Sequence, residues 1–152
     1  MYYIIAAVLL AIDQGIKCLV VSGMDPGEKI PVIGEFFRIA YTQNTGIAFS
    51  LFKDMGFLLI LIPAVISVVC AVVLARTKGK THPVLNWGLA LVLAGGIGNV
   101  IDRLVHGYVV DYLSFGSFAI FNFADVCICT GCGLILLYVL FIYGKKDAPK
   151  AG

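Results

Sequence analysis

The sequence predicts an all-α integral membrane protein of four transmembrane helices, and three observations carry that prediction. Hydrophobic residues fill 61% of the 152 positions against 13% charged, where a soluble domain carries about 25% charged residues. Mean hydropathy is +1.00. The apolar residues are also gathered into four runs, each approaching the ~20 residues that cross ~30 Å of hydrocarbon. A net charge of +2 on so apolar a chain excludes nucleic-acid binding, and the same composition excludes disorder.

The first span, 2–21, is apolar except for Asp13, Gln14 and Lys17. It has no basic leading segment and no small-x-small exit, so it reads as a retained helix rather than a cleaved leader. The second span, 55–75, has no charge in 21 residues, the third, 84–101, none in 18, and the fourth, 126–144, none in 19. Basic residues in the short inner connection (Arg76, Lys78, Lys80) and tail (Lys145, Lys146, Lys150) outnumber Lys29, Arg38, Lys53 and Arg103 on the other side. That bias places both termini in the cytoplasm. The outer segments are then 22–54 and 102–125. Their stretches 35–42 and 109–121 are rich in aromatic and β-branched residues, which suits short strands at the membrane surface, punctuated by Pro26, Gly27, Pro31, Gly34 and Gly116. No repeat divides the chain, so 1–152 reads as a single membrane domain.

The ionisable residues inside the spans converge on one depth. From the cytoplasmic end, Asp13 lies ~18 Å and Lys17 ~24 Å up the first helix, Asp102 ~28 Å up the third and Asp125 ~27 Å up the fourth. Asp111, between the third and fourth, is tethered near the same level. Asp13 and Lys17 are spaced i, i+4 with the acid first, which reads as a structural ion pair offsetting the cost of two charges in lipid. Gly95, Gly98, Asn99 and Asp102 share one helix face, a close-packing seam topped by hydrogen-bonding groups, with Arg103 snorkelling beside it.

Asp111 and Asp125 point to chemistry. An acid at a helix N-terminus is accounted for as a cap, which covers Asp125. It does not cover Asp111, set in Val109-Val110-Asp111-Tyr112-Leu113. Two carboxylates in a partly dry site cannot both ionise, so they share a proton and can activate a water between them. Other schemes lack residues. His82 and His106 fall on opposite sides of the membrane and no metal-binding motif is present, so no metal and no cofactor are expected. No serine has an evident histidine partner, and nothing specific supports a Ser/Lys dyad through Lys17. The five cysteines (Cys18, Cys70, Cys127, Cys129, Cys132) form no disulfide framework, and Cys127, Cys129 and Cys132 read as small buried thiols rather than a metal cluster.

At this point the chain resembles a known family, lipoprotein signal peptidase (signal peptidase II). The resemblance rests on five blocks in order: Asp13-Gln14-Gly15-Ile16-Lys17, Asn44-Thr45-Gly46-Ile47-Ala48-Phe49, Gly95-Gly96-Ile97-Gly98-Asn99-Val100-Ile101-Asp102-Arg103, Val109-Val110-Asp111-Tyr112 and Phe121-Asn122-Phe123-Ala124-Asp125, followed by Ile128 and Gly131. It implies that Asp111 and Asp125 are the catalytic aspartates. Asn44, Asn99, Arg103 and Asn122 would line the substrate site, with Gly46 beside them, while Asp13, Lys17 and Asp102 would hold the site together. It further implies a small extracytoplasmic β-cradle, a short lid segment, and a monomer in the bacterial cell membrane with its active site at the outer face. The implied substrate is a prolipoprotein, cut just before a cysteine that carries diacylglycerol, so membrane lipid is the other implied partner. The residues alone leave two rivals: a small proton-coupled membrane transporter, whose acids usually sit nearer the midplane, and an accessory membrane subunit.

Overall fold

The computed structural model describes residues 1–46, 56–77, 80–116 and 119–143. The calls that fall on Ile47, Ala48, Phe49, Lys53, Met55, Lys78, Gly144, Lys145, Lys146 and Lys150 lie outside them. Among the described residues are four long apolar helices: α1 (Tyr2–Gly23), α2 (Gly56–Thr77), α3 (Pro83–His106) and α4 (Phe123–Leu137). A π-helical turn, Tyr138–Ile142, continues α4 and gives it a 20-residue apolar length.

Helix α3 is the centre of the bundle and packs against each of the other three. Its glycines make this possible. A Cβ on Gly88 would stand 2.9 Å from the Gly131 carbonyl oxygen, and one on Gly131 would stand 2.7 Å from that of Gly88. Higher up, a Cβ on Gly95 would collide with the Ala124 backbone. Backbone-to-backbone contact of this kind lets helices associate in lipid, where apolar burial supplies no driving force. The buried core around α3 includes Leu89, Ala90, Leu93 and Ala94, with Ala6 from α1 and Cys70 and Leu74 from α2.

The third span runs farther than its uncharged stretch predicts. Asp102 and Arg103, expected in the outer segment, lie within α3, which stops only at Gly107 in the left-handed conformation (φ 81°). The apolar run ends at Asp102 because that residue is charged, but the helix continues because the charge is paired. The fourth span likewise begins at Phe123 rather than 126, with Asn122 as its cap.

The connections α1–α2 and α3–α4 form one antiparallel sheet in the order β1 (Lys29–Ile33), β2 (Phe37–Asn44), β3 (Val109–Phe115), β4 (Ala119–Phe121). The stretch expected as strand over 109–121 is a hairpin turning at Gly116 (φ 55°). Strands β1 and β2 follow α1, and β3 and β4 follow α3, so the sheet sits at one end of the bundle. Pairing of Thr42 with Asp111 brings β2 alongside the acid. The lid segment expected from the resemblance is not among the described strands and turns; residues 47–55 and 117–118 of the outer segments are outside the described set. The cysteine expectation needs correction. Cys127 is buried, but Cys129 and Cys132 are exposed, because they sit on outward helix faces where lipid rather than protein covers an apolar side chain.

The glycine contacts predict an asymmetric response to added methyl groups. Gly131→Ala should cost about 1–3 kcal/mol by overpacking the α3–α4 crossing. Gly15→Ala, where nothing stands within 4 Å of the added carbon, should not destabilise. Thermal unfolding of the two variants in one detergent checks this, and equal midpoints would contradict the packing account.

Candidate active site

The site is built where α4 begins, and its construction starts with backbone groups. The first N–H groups of a helix have no intrahelical partner. Here three elements supply them: Phe123 N–H donates to the Tyr112 hydroxyl (3.2 Å), Ala124 N–H to Asp13 Oδ1 (2.9 Å) and Asp125 N–H to Asn122 Oδ1 (3.0 Å). Asn122 and Asp125 complete a capping box, in which Asn122 N–H donates to Asp125 Oδ2 (3.3 Å). Strand β3, helix α1 and the cap residue thus fix the helix end that carries Asp125.

Asp111 projects from β3 and is 3% exposed, whereas Asp125 is half-buried. Asp111 accepts from Asn44 Nδ2 at Oδ2 (2.8 Å) and from Asn122 Nδ2 at Oδ1 (2.7 Å). Asp125 Oδ1 accepts from Asn99 Nδ2 (2.8 Å). All three amides are held with their NH2 groups toward the acids, because a donor occupies each carbonyl oxygen. Gly46 N–H donates to Asn44 Oδ1 (2.9 Å), Lys17 Nζ to Asn99 Oδ1 (3.1 Å), and Asp125 N–H to Asn122 Oδ1. Gly46 can make its turn because φ is 73°, a conformation that favours glycine, and a Cβ there would strike Leu59. Burial pushes the Asp111 carboxyl up to about 6; the Asn44 and Asn122 amides oppose that rise, the charge of Asp125 adds to it and that of Lys17 opposes it.

Behind the acids lies a buried ion cluster. The Lys17 ammonium, 3% exposed, sits 2.9 Å from Asp13 Oδ2 and 2.9 Å from Asp102 Oδ2. With Asn99 as third acceptor, its three N–H groups are all used. Each acid of the cluster in turn reaches the residue before a site aspartate. Asp13 takes the N–H of Ala124, ahead of Asp125, and Asp102 takes the N–H of Val110 (3.0 Å), ahead of Asp111. Arg103, half-buried, donates to the Asn99 backbone oxygen (3.4 Å) and lies within electrostatic reach of Asp125, Asp111 and Asp102.

The structure therefore brings Asp13, Lys17, Asn44, Gly46, Asn99, Asp102, Arg103, Asp111, Asn122 and Asp125 into one connected region. Sequence reasoning passed over Gln14. Its Nε2 lies 3.2 Å from Asp13 Oδ2, 3.2 Å from the Gly98 carbonyl oxygen and 3.1 Å from Asp102 Oδ1. The signal was present, since an amide inside an apolar run needs a partner in lipid as a charge does. Tyr112 was also passed over, because a tyrosine in a β-rich stretch reads as packing.

Paired carboxyls on a four-helix membrane scaffold, ringed by amide donors, define a polytopic membrane enzyme of the aspartic peptidase type. Comparison with known proteins agrees. The family model for signal peptidase (SPase) II matches residues 5–141, and the chain belongs to that family of aspartic-type peptidases. It is 43% identical over 148 residues to lipoprotein signal peptidase of Brevibacillus brevis, covering 96% of this chain and 98% of that protein. It is 45% identical over 143 residues to that of Brucella ovis, covering 90% and 86%. A solved bacterial membrane enzyme at 2.3 Å resolution superposes with TM-score 0.84 and 26% identity, over 99% of this chain and 94% of that one. Enzyme membership sets aside the transporter and accessory-subunit readings.

The ion cluster predicts a specific weakness. Lys17→Met leaves Asp13 and Asp102 buried without their cation, which should cost about 3–5 kcal/mol. Unfolding of purified protein in lipid or detergent measures this, and an unchanged midpoint would show that the cluster does not hold the site end of the bundle.

Proposed function

We propose that this protein removes signal peptides from lipoprotein precursors, cutting immediately before a cysteine that carries diacylglycerol. In this reading Asp111 and Asp125 activate the attacking water. Asn122 is the observation that carries it. Its amide NH2 donates to Asp111 while its carbonyl oxygen and backbone N–H hold Asp125. One residue thus ties together two acids that stand 14 positions apart in the chain.

Burial assigns the roles. Asp111 is the acid that holds the proton, and the more exposed Asp125, at the positive end of the α4 dipole, is the base. Asp125 takes a proton from water as it attacks the scissile carbonyl, and Asp111 donates its proton to the carbonyl oxygen. When the tetrahedral intermediate collapses, the C–N bond breaks, the amine of the lipidated cysteine leaves with a proton from Asp125, and Asp111 takes back its proton from the intermediate's hydroxyl, leaving the signal peptide with the new carboxyl group. Arg103 and the asparagines orient the scissile backbone.

The sheet end of the bundle is the extracytoplasmic one. Arg76 and Lys80 stand at the opposite end, with Tyr2 packed edge-on against Trp87 at 6.3 Å as an interfacial aromatic pair. Both termini are then cytoplasmic, and the site lies at the outer leaflet. A diacylglyceryl group buries tens of CH2 units at ~0.8 kcal/mol each, which keeps the cysteine at this depth and lets so small an enzyme rely on the bilayer for positioning.

A gel-shift cleavage assay with lipidated and unlipidated precursor at equal membrane density tests the reading. The lipidated precursor should be cut and the unlipidated one far more slowly. Asp111→Asn and Asp125→Asn should each lose about 10²–10⁴-fold in rate, the contribution of a positioned proton-transfer group, while still inserting and folding. Equal cleavage of the two precursors, or near-normal turnover by either variant, would overturn it.

The proton assignment has its own pH signature. The single-proton form needs Asp111 protonated, and a group pushed up to about 6 loses its proton as pH rises through that value. The free-enzyme kcat/KM should therefore fall on the alkaline side of about pH 6. The Asn44 amide favours the ionised form, so Asn44→Ala should move that limb to higher pH. A limb that stays put or moves lower would reverse the two roles, with the apparent values belonging to the pair.

A further inference from the structure

Helices α1 and α3 leave a cavity of about 200 Å³ between them at the sheet end of the bundle. Its floor is Gln14, Lys17 and Asp102, and its mouth is Cys18, Ser22 and His106, all three exposed. Lys17 separates it from Asn99 and, through Asn99, from Asp125. The floor offers acceptors and no free donor. All three Lys17 N–H groups are used. Gln14 Nε2 faces three acceptors, Asp13 Oδ2, the Gly98 carbonyl and Asp102 Oδ1. The Gln14 amide oxygen accepts from none of the described residues, and it is the end left to the cavity. One cation against two carboxylates also makes the floor net negative, since Arg103 leans instead to the Asn99 carbonyl. The mouth differs. The His106 ring, stacked on Tyr108 with centroids 5.7 Å apart, brings a donor one turn above Asp102, ~6 Å at ~1.5 Å per residue. Leu19, Leu104 and Val105 are exposed around it.

We propose that this cavity binds the headgroup of a phospholipid that carries a primary ammonium, of the phosphatidylethanolamine class, drawn from the leaflet at the sheet end. The ammonium sits at the Gln14 amide oxygen beside Asp102, and the phosphate meets the His106 N–H at the mouth. Size and charge both select this ligand. A cavity of about 200 Å³ is below the ~300 Å³ at which pockets enclose drug-sized molecules, so it takes a headgroup and leaves the acyl chains outside. There Leu19, Leu104 and Val105 give them an apolar wall. A bare anion meets a negative floor with no donor to receive it. A quaternary ammonium fits the charge but has no N–H, so it buries the Gln14 oxygen unpaired, which is costly. Occupancy has a structural consequence. Gln14 touches both Asp13 and Asp102, and these hold the backbones of Ala124 and Val110. A bound ammonium therefore braces the end of the bundle that carries both site acids, and binding reads out as stability.

The test titrates the full chain in detergent micelles with phosphatidylethanolamine, its N,N-dimethyl derivative, phosphatidylcholine and phosphatidylglycerol of identical acyl chains. Thermal unfolding gives the midpoint, and native mass spectrometry counts the lipid retained. Phosphatidylethanolamine should raise the midpoint by about 5 °C or more near saturation, the scale expected of a ligand at ~100 times its Kd on a chain of this size. The shift should shrink as methyl groups replace N–H, and phosphatidylglycerol should give none. Cys18→Phe and, independently, Ser22→Leu fill the mouth from exposed positions. Each should abolish the shift and leave the lipid-free midpoint in place. His106→Ala should weaken retention of phosphatidylethanolamine by about tenfold, the loss of one hydrogen bond to a charged group. Equal shifts from phosphatidylethanolamine and phosphatidylcholine would overturn the proposal, as would a shift that survives in both filled variants. Soluble phosphoethanolamine giving the full shift at the same concentration would overturn the membrane source. No readout involves cleavage, so the outcome is independent of the peptidase reading.

Discussion

Three donors on one buried ammonium organise the sheet end of this protein's helix bundle. Lys17 Nζ meets Asp13, Asp102 and Asn99, and a lysine has three N–H groups to give. Buried charges in lipid are tolerated when fully paired, and here the pairing extends outward. Asp13 holds the backbone of Ala124, Asp102 holds the backbone of Val110, and Asn99 holds the Asp125 carboxyl. The residue just before each site acid is therefore fastened to the same cation. Helices α1, α3 and α4 and strand β3 meet through it, and a shift of any one would leave a charge or a backbone N–H without a partner in a region where water cannot replace it.

The same arrangement explains why the site's amides can be donors. An asparagine side chain presents either its oxygen or its NH2, and only its surroundings decide which. Lys17 cannot accept a hydrogen bond, so Asn99 must offer it the oxygen and turn its NH2 to Asp125. The Gly46 and Asp125 N–H groups impose the same choice on Asn44 and Asn122. Two acids that would repel each other are thereby surrounded by fixed dipoles, an environment already oriented for the charge lost and gained in the proposed proton transfer. Burial still dominates for Asp111, whose carboxyl rises to about 6 despite two amide donors.

Much of this was legible in the sequence, for physical reasons that differ by element. The four spans could be read because lipid demands uninterrupted apolar length, and Asp13, Lys17, Asp102 and Asp125 could be placed at one depth because helical rise is constant. Span ends were less legible. Asp102 looked like an exit from the membrane since charge alone is visible in sequence, whereas its Lys17 partner is visible only in three dimensions. Gln14 and Tyr112 carry no charge and so were given no role in the site, although each hydrogen-bonds a group of it. Strand β1 was not anticipated, because its five residues are all exposed and follow no inside–outside alternation. The exposed thiols of Cys129 and Cys132 were misjudged because a membrane helix hides apolar groups in lipid as readily as in protein.

The central claim is that Asp111 and Asp125 together activate one water. The most direct measurement is a high-resolution X-ray or neutron structure with a non-cleavable lipidated peptide in the site. A bridging water or its hydroxyl mimic should contact both carboxyls, with their nearest oxygens no more than about 6 Å apart, the span of two hydrogen bonds of ~2.6–3.2 Å. Carboxyls more than about 8 Å apart with peptide bound, beyond the reach of one water, would contradict the account.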